Sequence, residues 1–334
     1  MIIKFDEQKQ LDSVNGALAL RGEIEDIVDE IFDAGFDGIF WLGIGGTYAS
    51  GMQAEVYMRG RTKLPVYVEN AAQFITTGNP RFTERSVMIL SSVTGSTEEV
   101  VKAVEKANEI GARIIGFIDR PEAALAKMCT YCISYPANEQ LKFFMTANRF
   151  MYRNGDFPEY DRYNKEMEEH LARALVEVEK AADDFGKEFA EKHCEDPIHY
   201  FVGAGTQWGS TYSYAMCYWE EQHWIRTKSI TAEEFFHGML EIVDKNTAVT
   251  VFLGEDEQRP LAERVAAFLP RICGNYTFID AKDYAQYLEG ISPEFRGSIS
   301  HLVTHAVTQR IDAHMEVINR HPVEIRRYYR QFNY

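Results

Sequence analysis

The 334-residue chain contains no run of about 18 apolar residues, so nothing in it reads as a transmembrane helix. Its start, MIIKFDEQKQ, lacks a basic segment followed by an apolar one, and no secretory signal is expected. Positive charge is also scarce. Lys and Arg number 35 against 51 Asp and Glu, a formal net charge of −16. An acidic surface repels nucleic acid and anionic membranes, which disfavours both as partners. An anionic small molecule would need locally arranged donors instead. The cysteines are few and odd in number, five, at positions 129, 132, 194, 217 and 273. That usage fits a reducing cytoplasm, and a cytoplasmic location is the expectation. Cys129 and Cys132 form a CxxC, but no second pair completes a metal site, and AKMCTYCISYP reads as a strand.

The chain does contain a repeat. Residues 85–119, RSVMILSSVTGSTEEVVKAVEKANEIGARIIGFID, align with 246–280, NTAVTVFLGEDEQRPLAERVAAFLPRICGNYTFID, at an offset of 161. Each reads as apolar strand, short polar loop, amphipathic helix, Gly-containing turn and second strand. Upstream, IFWLGIGGTYASG faces YFVGAGTQWGS at an offset of 160, from Gly43 to Gly203. A βαβ-rich unit is used twice. Strands alternating with helices predict an α/β fold of two lobes, each a parallel sheet flanked by helices in a three-layer αβα sandwich. The expected boundaries are an N-terminal segment 1–20, lobe one 21–160, a connecting helix 161–194, lobe two 195–314 and a tail 315–334.

The copies differ where ligands bind in such folds, at the carboxyl ends of the strands. Copy one has Ser91-Ser92-Val93-Thr94-Gly95-Ser96-Thr97, with five hydroxyls; copy two has Phe252-Leu253-Gly254-Glu255-Asp256-Glu257-Gln258. Hydroxyls at a helix N-terminus suit a phosphate, because the helix end carries unpaired donors and partial positive charge. Carboxylates in copy two would repel an anion. The plainer reading, that Ser96 and Thr97 simply cap the helix, explains one or two hydroxyls but not five. The Gly45-Gly46-Thr47 turn offers further donors. It is not G-x-G-x-x-G, and no Walker lysine follows, so nucleotide binding has weak support.

Residues 218–243, YWEEQHWIRTKSITAEEFFHGMLEIV, concentrate acid–base groups among aromatics. Glu220 and Glu221 are expected to end a long helix beginning near Gly209, and Thr231 to start another that carries Glu233, Glu234 and His237. A carboxylate and an imidazole in an aromatic pocket can move protons near neutral pH. The same residues, with His223, would also serve as ordinary surface or helix-start groups.

The loop SSVTGST resembles the S-x-S-G-x-T phosphate loop of sugar isomerase (SIS) domains. EFFHG followed by MLEIV resembles the E-[FY]-x-H-G-P-x-E-I stretch in the isomerase half of glucosamine-6-phosphate synthase. With YSYAMCYWEEQHWIRTKSITAEEFFHG, VFLGEDEQRPLAERV and HPVEIRRYYRQFNY, the whole chain resembles the fructoselysine 6-phosphate deglycases, a family of tandem SIS proteins. The resemblance implies a homodimer with the site in lobe one and at lobe and subunit boundaries. It implies phosphate binding by Ser92, Thr94, Thr97 and Thr47, with weaker substrate contacts from Gly46 and Arg327. It implies Glu221 as catalytic base, sixteen residues before His237, whose imidazole comes from the neighbouring subunit and assists ring opening. No cofactor and no metal are implied.

Two departures stand out. The Pro after H-G is Met239, which shifts the expected helix start, and the tail has Arg326, Arg327, Tyr328 and Tyr329 where the synthase has a lysine. Losing that lysine argues against transfer through an enzyme imine. The implied reaction is cleavage of a 6-phosphorylated Amadori compound, a phosphosugar–amino acid conjugate, into glucose 6-phosphate and free amino acid through an enaminol. Tyr218, Trp219, Trp224, Phe235 and Phe236 are expected to surround Glu221 and favour its protonated form. The alternatives are an aldose–ketose phosphosugar isomerase, an aminosugar-phosphate deaminase, and a non-catalytic phosphosugar sensor. The last is disfavoured because no helix-turn-helix or basic patch accompanies the lobes.

Overall fold

Apolar strands alternate with amphipathic helices, and the strands collect into two parallel sheets. The computed structural model describes residues 2–329 and 331–332. The chain divides into two units, Gln8–Ala172, and Met1–Glu7 with Arg173–Tyr334. The division falls inside the helical stretch expected to connect the lobes. That stretch runs as helix Tyr160–Glu166, a π-helical turn Met167–Leu171, helix Ala172–Ala181 and helix Asp183–His193.

The first unit contains β1 (Ile39–Gly43), β2 (Val66–Asn70), β3 (Val87–Ser92), β4 (Arg113–Ile118) and β5 (Tyr131–Ile133), in the order β2-β1-β3-β4-β5, all parallel. β1 and β3 are buried throughout, as strands covered on both faces must be. Side chains alternate between the faces. Phe40, Leu42, Met88 and Leu90 pack with Phe74, Val100 and Val104 on one face. On the other, Trp41 and Phe117 meet Phe143 of helix Glu139–Arg153, with ring centroids 4.8 and 6.0 Å apart. Helix Glu98–Ile110 buries Val100, Ala103, Val104 and Ala107, one stripe at helical spacing. It stops at Gly111, whose left-handed φ of 92° lets its N–H bond back to Ala107 and Asn108. The CxxC thiols lie at β5 and are free; burial pushes Cys129 up to about 12 and raises Cys132, so neither is poised to react.

The second unit contains β6 (His199–Gly203), β7 (Thr227–Thr231), β8 (Ala248–Leu253) and β9 (Tyr276–Asp280), in the order β7-β6-β8-β9, again all parallel. β6, β8 and β9 correspond to β1, β3 and β4, as the repeat predicts, and β7 takes the place of β2. The edge strands β2 and β7 have no place in the sequence reading. Both are only half-buried, and β7, TKSIT, lacks the apolar run that marks a central strand. Helix Pro293–Asn319 lies against Asp183–His193 so closely that a Cβ on Gly186 would stand 2.8 Å from the Arg310 backbone. The buried Arg310 guanidinium is shared by Asp183, Glu179 and the Ile3 carbonyl.

At the amino end of β6, Asp196 Oδ2 lies 2.6 Å from His193 Nδ1 and 3.1 Å from His199 Nδ1. The Nε2 atoms reach the hydroxyls of Thr277 and Thr250. Burial pushes the His199 imidazole down to about 4. Burial opposes the charge on Asp196, but the two histidine hydrogen bonds overcome it and hold the carboxyl at about 2. Both shifts favour the native state at neutral pH. The unfolded chain protonates His199 first, near its ordinary value of about 6.5, so stability falls as pH drops from there toward 4. Asp196 adds a loss further down, from about 4 toward 2. The His199 contribution should reach ~1.4 kcal/mol per pH unit. Thermal unfolding between pH 7 and 5 should therefore show a flatter pH slope in His199→Leu than in wild type; equal slopes would remove the imidazole as the source.

Candidate active site

Strand order in each sheet reverses between the first and third strands, β1 and β3 or β6 and β8, which opens a crevice at their carboxyl ends. In the first unit Leu42 pairs with Leu90, so the turn after Gly43 and the loop after Ser92 leave the sheet side by side. A Cβ on Gly43 would collide with the backbone of Thr47 and Tyr48, so only glycine lets helix Gly46–Arg59 start that close to the strand. Gly45 turns the chain at φ 62°. The Thr47 hydroxyl closes this turn, 3.1 Å from both the amide N and the carbonyl O of Ile44.

In the SSVTGST loop, Ser92 Oγ accepts from the Gly95 amide at 3.0 Å. Thr94 Oγ1 accepts from the Ser96 hydroxyl at 3.0 Å. Gly95 has φ 61°, and a Cβ there would stand 2.5 Å from Ala123. Thr97 occupies the N-cap position of helix Glu98–Ile110 with an extended backbone but makes no side-chain cap hydrogen bond. Capping therefore does not account for its hydroxyl. Behind the loop stands a residue that the sequence reading missed, Glu139, the first residue of helix Glu139–Arg153. Burial raises its carboxyl, against hydrogen bonds from Ser50 and Ser91 and the pull of Lys142. It ties the end of β3 to helix Gly46–Arg59, one element on each side of the crevice. Nothing in its short-range pattern marks it, because its partners lie on distant segments.

The second unit builds the same crevice and fills it with its own chain. Gly205 turns at φ 57°, close to Gly45. The Thr206 amide and hydroxyl donate to Asp256 Oδ2 at 2.8 and 2.5 Å, and the Gln258 amide donates to Asp256 Oδ1 at 2.9 Å. A Cβ on Gly205 would collide with this carboxylate. The residue matching Asp256 at the repeat offset is Gly95. The expectation that carboxylates in copy two simply repel an anion needs correcting. Asp256 acts as the anion, held by the donors that would otherwise bind one.

The acid–base residues lie elsewhere in this unit. Helix Thr206–Ser213 continues as a π-helical segment, Tyr214–Glu220, and Glu221 follows it. Glu220 accepts from the Thr227 hydroxyl at 2.7 Å, which fastens it to β7. Glu221 Oε1 accepts from Arg326 Nε at 2.8 Å. A cavity of about 750 Å³ is lined by Glu221, Trp224, Arg226, Arg326, Arg327 and neighbours that include Glu220 and the two tail tyrosines. Arg327 stacks on Trp224 at 4.3 Å. Tail residues Arg326, Arg327, Tyr328 and Tyr329 thus line the cavity at Glu221; Arg330, Asn333 and Tyr334 lie outside the described residues.

Of the five aromatics expected around Glu221, only Trp224 lines its cavity. Trp219 is buried against Phe201 and His199, and Phe235 belongs to the core beneath β6 and β8. Helical phase turns them inward, and Arg326 is the direct neighbour instead. His223 is a structural residue, bound to Asp312 at 3.1 Å. His237 is exposed after the short helix Ala232–Phe235 and does not line this cavity. Met239 starts a 3-10 turn and is buried in the core. The His193, Asp196 and His199 group has metal-ligand spacing, but every ring nitrogen in it already has a partner.

Residues 33–151 match the SIS domain family. Over 314 residues the chain is 29% identical to a fructosamine deglycase of Bacillus subtilis (strain 168), covering 92% of this chain and 95% of that protein. It is 26% identical to a fructoselysine 6-phosphate deglycase of Escherichia coli (strain K12), with 80% and 79% covered. A solved structure from Bacillus subtilis, described as a phosphosugar isomerase, superposes with a TM-score of 0.89 at 26% identity, over 96% of this chain and 99% of that one. The resemblance to the deglycase family holds along most of the chain, and its relatives are enzymes.

The Asp256 plug yields a direct expectation. Asp256→Ala should cost about 1–3 kcal/mol, because buried donors lose their acceptor. Millimolar inorganic phosphate should then restore the melting temperature of the variant by more than it raises that of the wild type. Equal shifts in both proteins would mean that the second crevice cannot hold an anion.

Proposed function

We propose that this protein is a deglycase that converts a 6-phosphorylated Amadori compound, fructoselysine 6-phosphate or a close relative, to glucose 6-phosphate and a free amino acid. The observation that carries the reading is the difference between the two crevices. Where the second holds its own Asp256 carboxylate, the first has Gly95 in a loop of hydroxyls and helix N–H groups. The names of the curated relatives point to the same substrates.

In this reading Ser92, Thr94 and Thr97 hold the 6-phosphate, with Gly46 and Thr47 at the neighbouring turn. The protein works as a homodimer, and an exposed His237 suits a residue donated across a subunit boundary. The imidazole helps open the sugar ring. Glu221 then takes one C1 proton, made acidic by the C2 carbonyl, and a 1,2-enaminol forms. Return of a proton to C2 gives the aldimine. Water adds to C1, the C–N bond breaks, and the amine leaves as the free amino acid. Each step is a proton transfer or imine hydrolysis. The tail residue hydrogen-bonded to Glu221 is Arg326, a guanidinium unsuited to forming an enzyme imine.

Thr94→Val with Thr97→Val should raise KM strongly with the fold intact, since a phosphate dianion loses two donors; an unchanged KM would detach the loop from the substrate. Glu221→Gln should lower kcat by a factor of about 10²–10⁴ with a much smaller change in KM. The identity of the reaction is tested by offering 6-phosphorylated conjugates of several amino acids beside fructose 6-phosphate and glucosamine 6-phosphate. Release of glucose 6-phosphate from the conjugates alone is expected. Turnover of the simple sugars alone would make the protein an isomerase or a deaminase.

A further inference from the structure

The cavity at Glu221 has a charge opposite to that of the protein. It brings together three guanidinium groups, Arg226, Arg326 and Arg327, with two carboxylates, Glu220 and Glu221, in a chain whose net charge is −16. One carboxylate, Glu220, is already held by Thr227. The other is held by Arg326 alone among the hydrogen bonds described. A local excess of guanidinium in an acidic protein selects an anionic group on the ligand. The aromatic wall fits an aliphatic chain beside it, with Trp224 held flat under Arg327.

We propose that Arg326 recognises the carboxylate of the conjugate's amino acid, and that this recognition releases Glu221. The inference rests on the deglycase reading, in which the phosphate is bound by the SSVTGST loop and the amino-acid carboxylate is the ligand's second anion. Arg326 Nε donates to Glu221 Oε1 at 2.8 Å, so the proposed base is occupied as the protein stands. An arriving carboxylate competes for the same guanidinium fork, which it can bind through two parallel hydrogen bonds. Arg326 passes from one carboxylate to the other, and Glu221 becomes available for the C1 proton. A phosphosugar without a carboxylate leaves Glu221 paired. Arg326 is thus a positioning and specificity residue that acts through Glu221.

The test compares two substrates that differ in one group, the 6-phosphorylated Amadori compounds of lysine, linked through its ε-amine, and of 1,5-diaminopentane, which is lysine without its carboxylate. Wild type should favour the lysine conjugate by about 10- to 100-fold in kcat/KM, the range for a hydrogen bond to a charged group. In Arg326→Gln that preference should collapse toward one, because the lysine conjugate falls while the diaminopentane conjugate holds or improves. Arg326→Lys should recover part of the preference through charge without the fork. Turnover of the diaminopentane conjugate by the variants reports an intact fold and base. Equal losses on both substrates in Arg326→Gln, or no preference in wild type, would overturn the proposal. Cleavage of neither conjugate by wild type would overturn the deglycase reading itself, and this inference with it.

Discussion

A parallel sheet whose strand order reverses leaves a crevice where helix N-termini point unpaired N–H groups inward, and those donors require an acceptor. Both sheets of this protein meet that constraint, with glycine turns of nearly the same geometry at Gly45 and Gly205. They meet it differently. The second supplies a carboxylate from its own chain, Asp256, and so satisfies its crevice internally. The first has a glycine at the matching position and surrounds the crevice with hydroxyls. Glycine turns recur in both copies, and at the position where the second supplies its own carboxylate, Asp256, the first has Gly95 in a loop of hydroxyls.

The division of labour extends to the rest of the chain. Glu139 ties the two elements that flank the first crevice, so the hydroxyl loop rests on a buried polar cluster. The second unit contributes Glu221, in a cavity rich in arginine. Its acidity is handled locally: Glu220 is fastened to β7 and Glu221 to Arg326. A net charge of −16 therefore does not describe the field that a ligand meets there.

Much of this was legible in the sequence. The repeat at offsets 160 and 161 yields the central strands β1, β3, β6 and β8, because buried strands are continuous apolar runs with glycine turns after them. The hydroxyl loop was legible for the same reason: it interrupts that pattern in one copy only. The edge strands β2 and β7 were not: they are short, only half-buried, and lie outside the aligned segments of the repeat. The role of Asp256 was hidden because a carboxylate in a loop reads as a repelling charge until its donors, 50 residues away in sequence, are seen. The aromatic shell expected around Glu221 failed because proximity in sequence does not fix which way a helix turns its side chains. Trp219 and Phe235 went into the core, and the neighbour of Glu221 came from the tail, 105 residues on.

The central claim is that a proton leaves C1 of the sugar before the C–N bond breaks. It is tested most directly with fructoselysine 6-phosphate carrying two deuterons at C1. If an enaminol forms, one deuteron is removed in every turnover, and NMR of the glucose 6-phosphate product should show a single deuteron at C1. A sugar product that retains both C1 deuterons would contradict the account, because the C–N bond would then have broken without C1 ever being deprotonated.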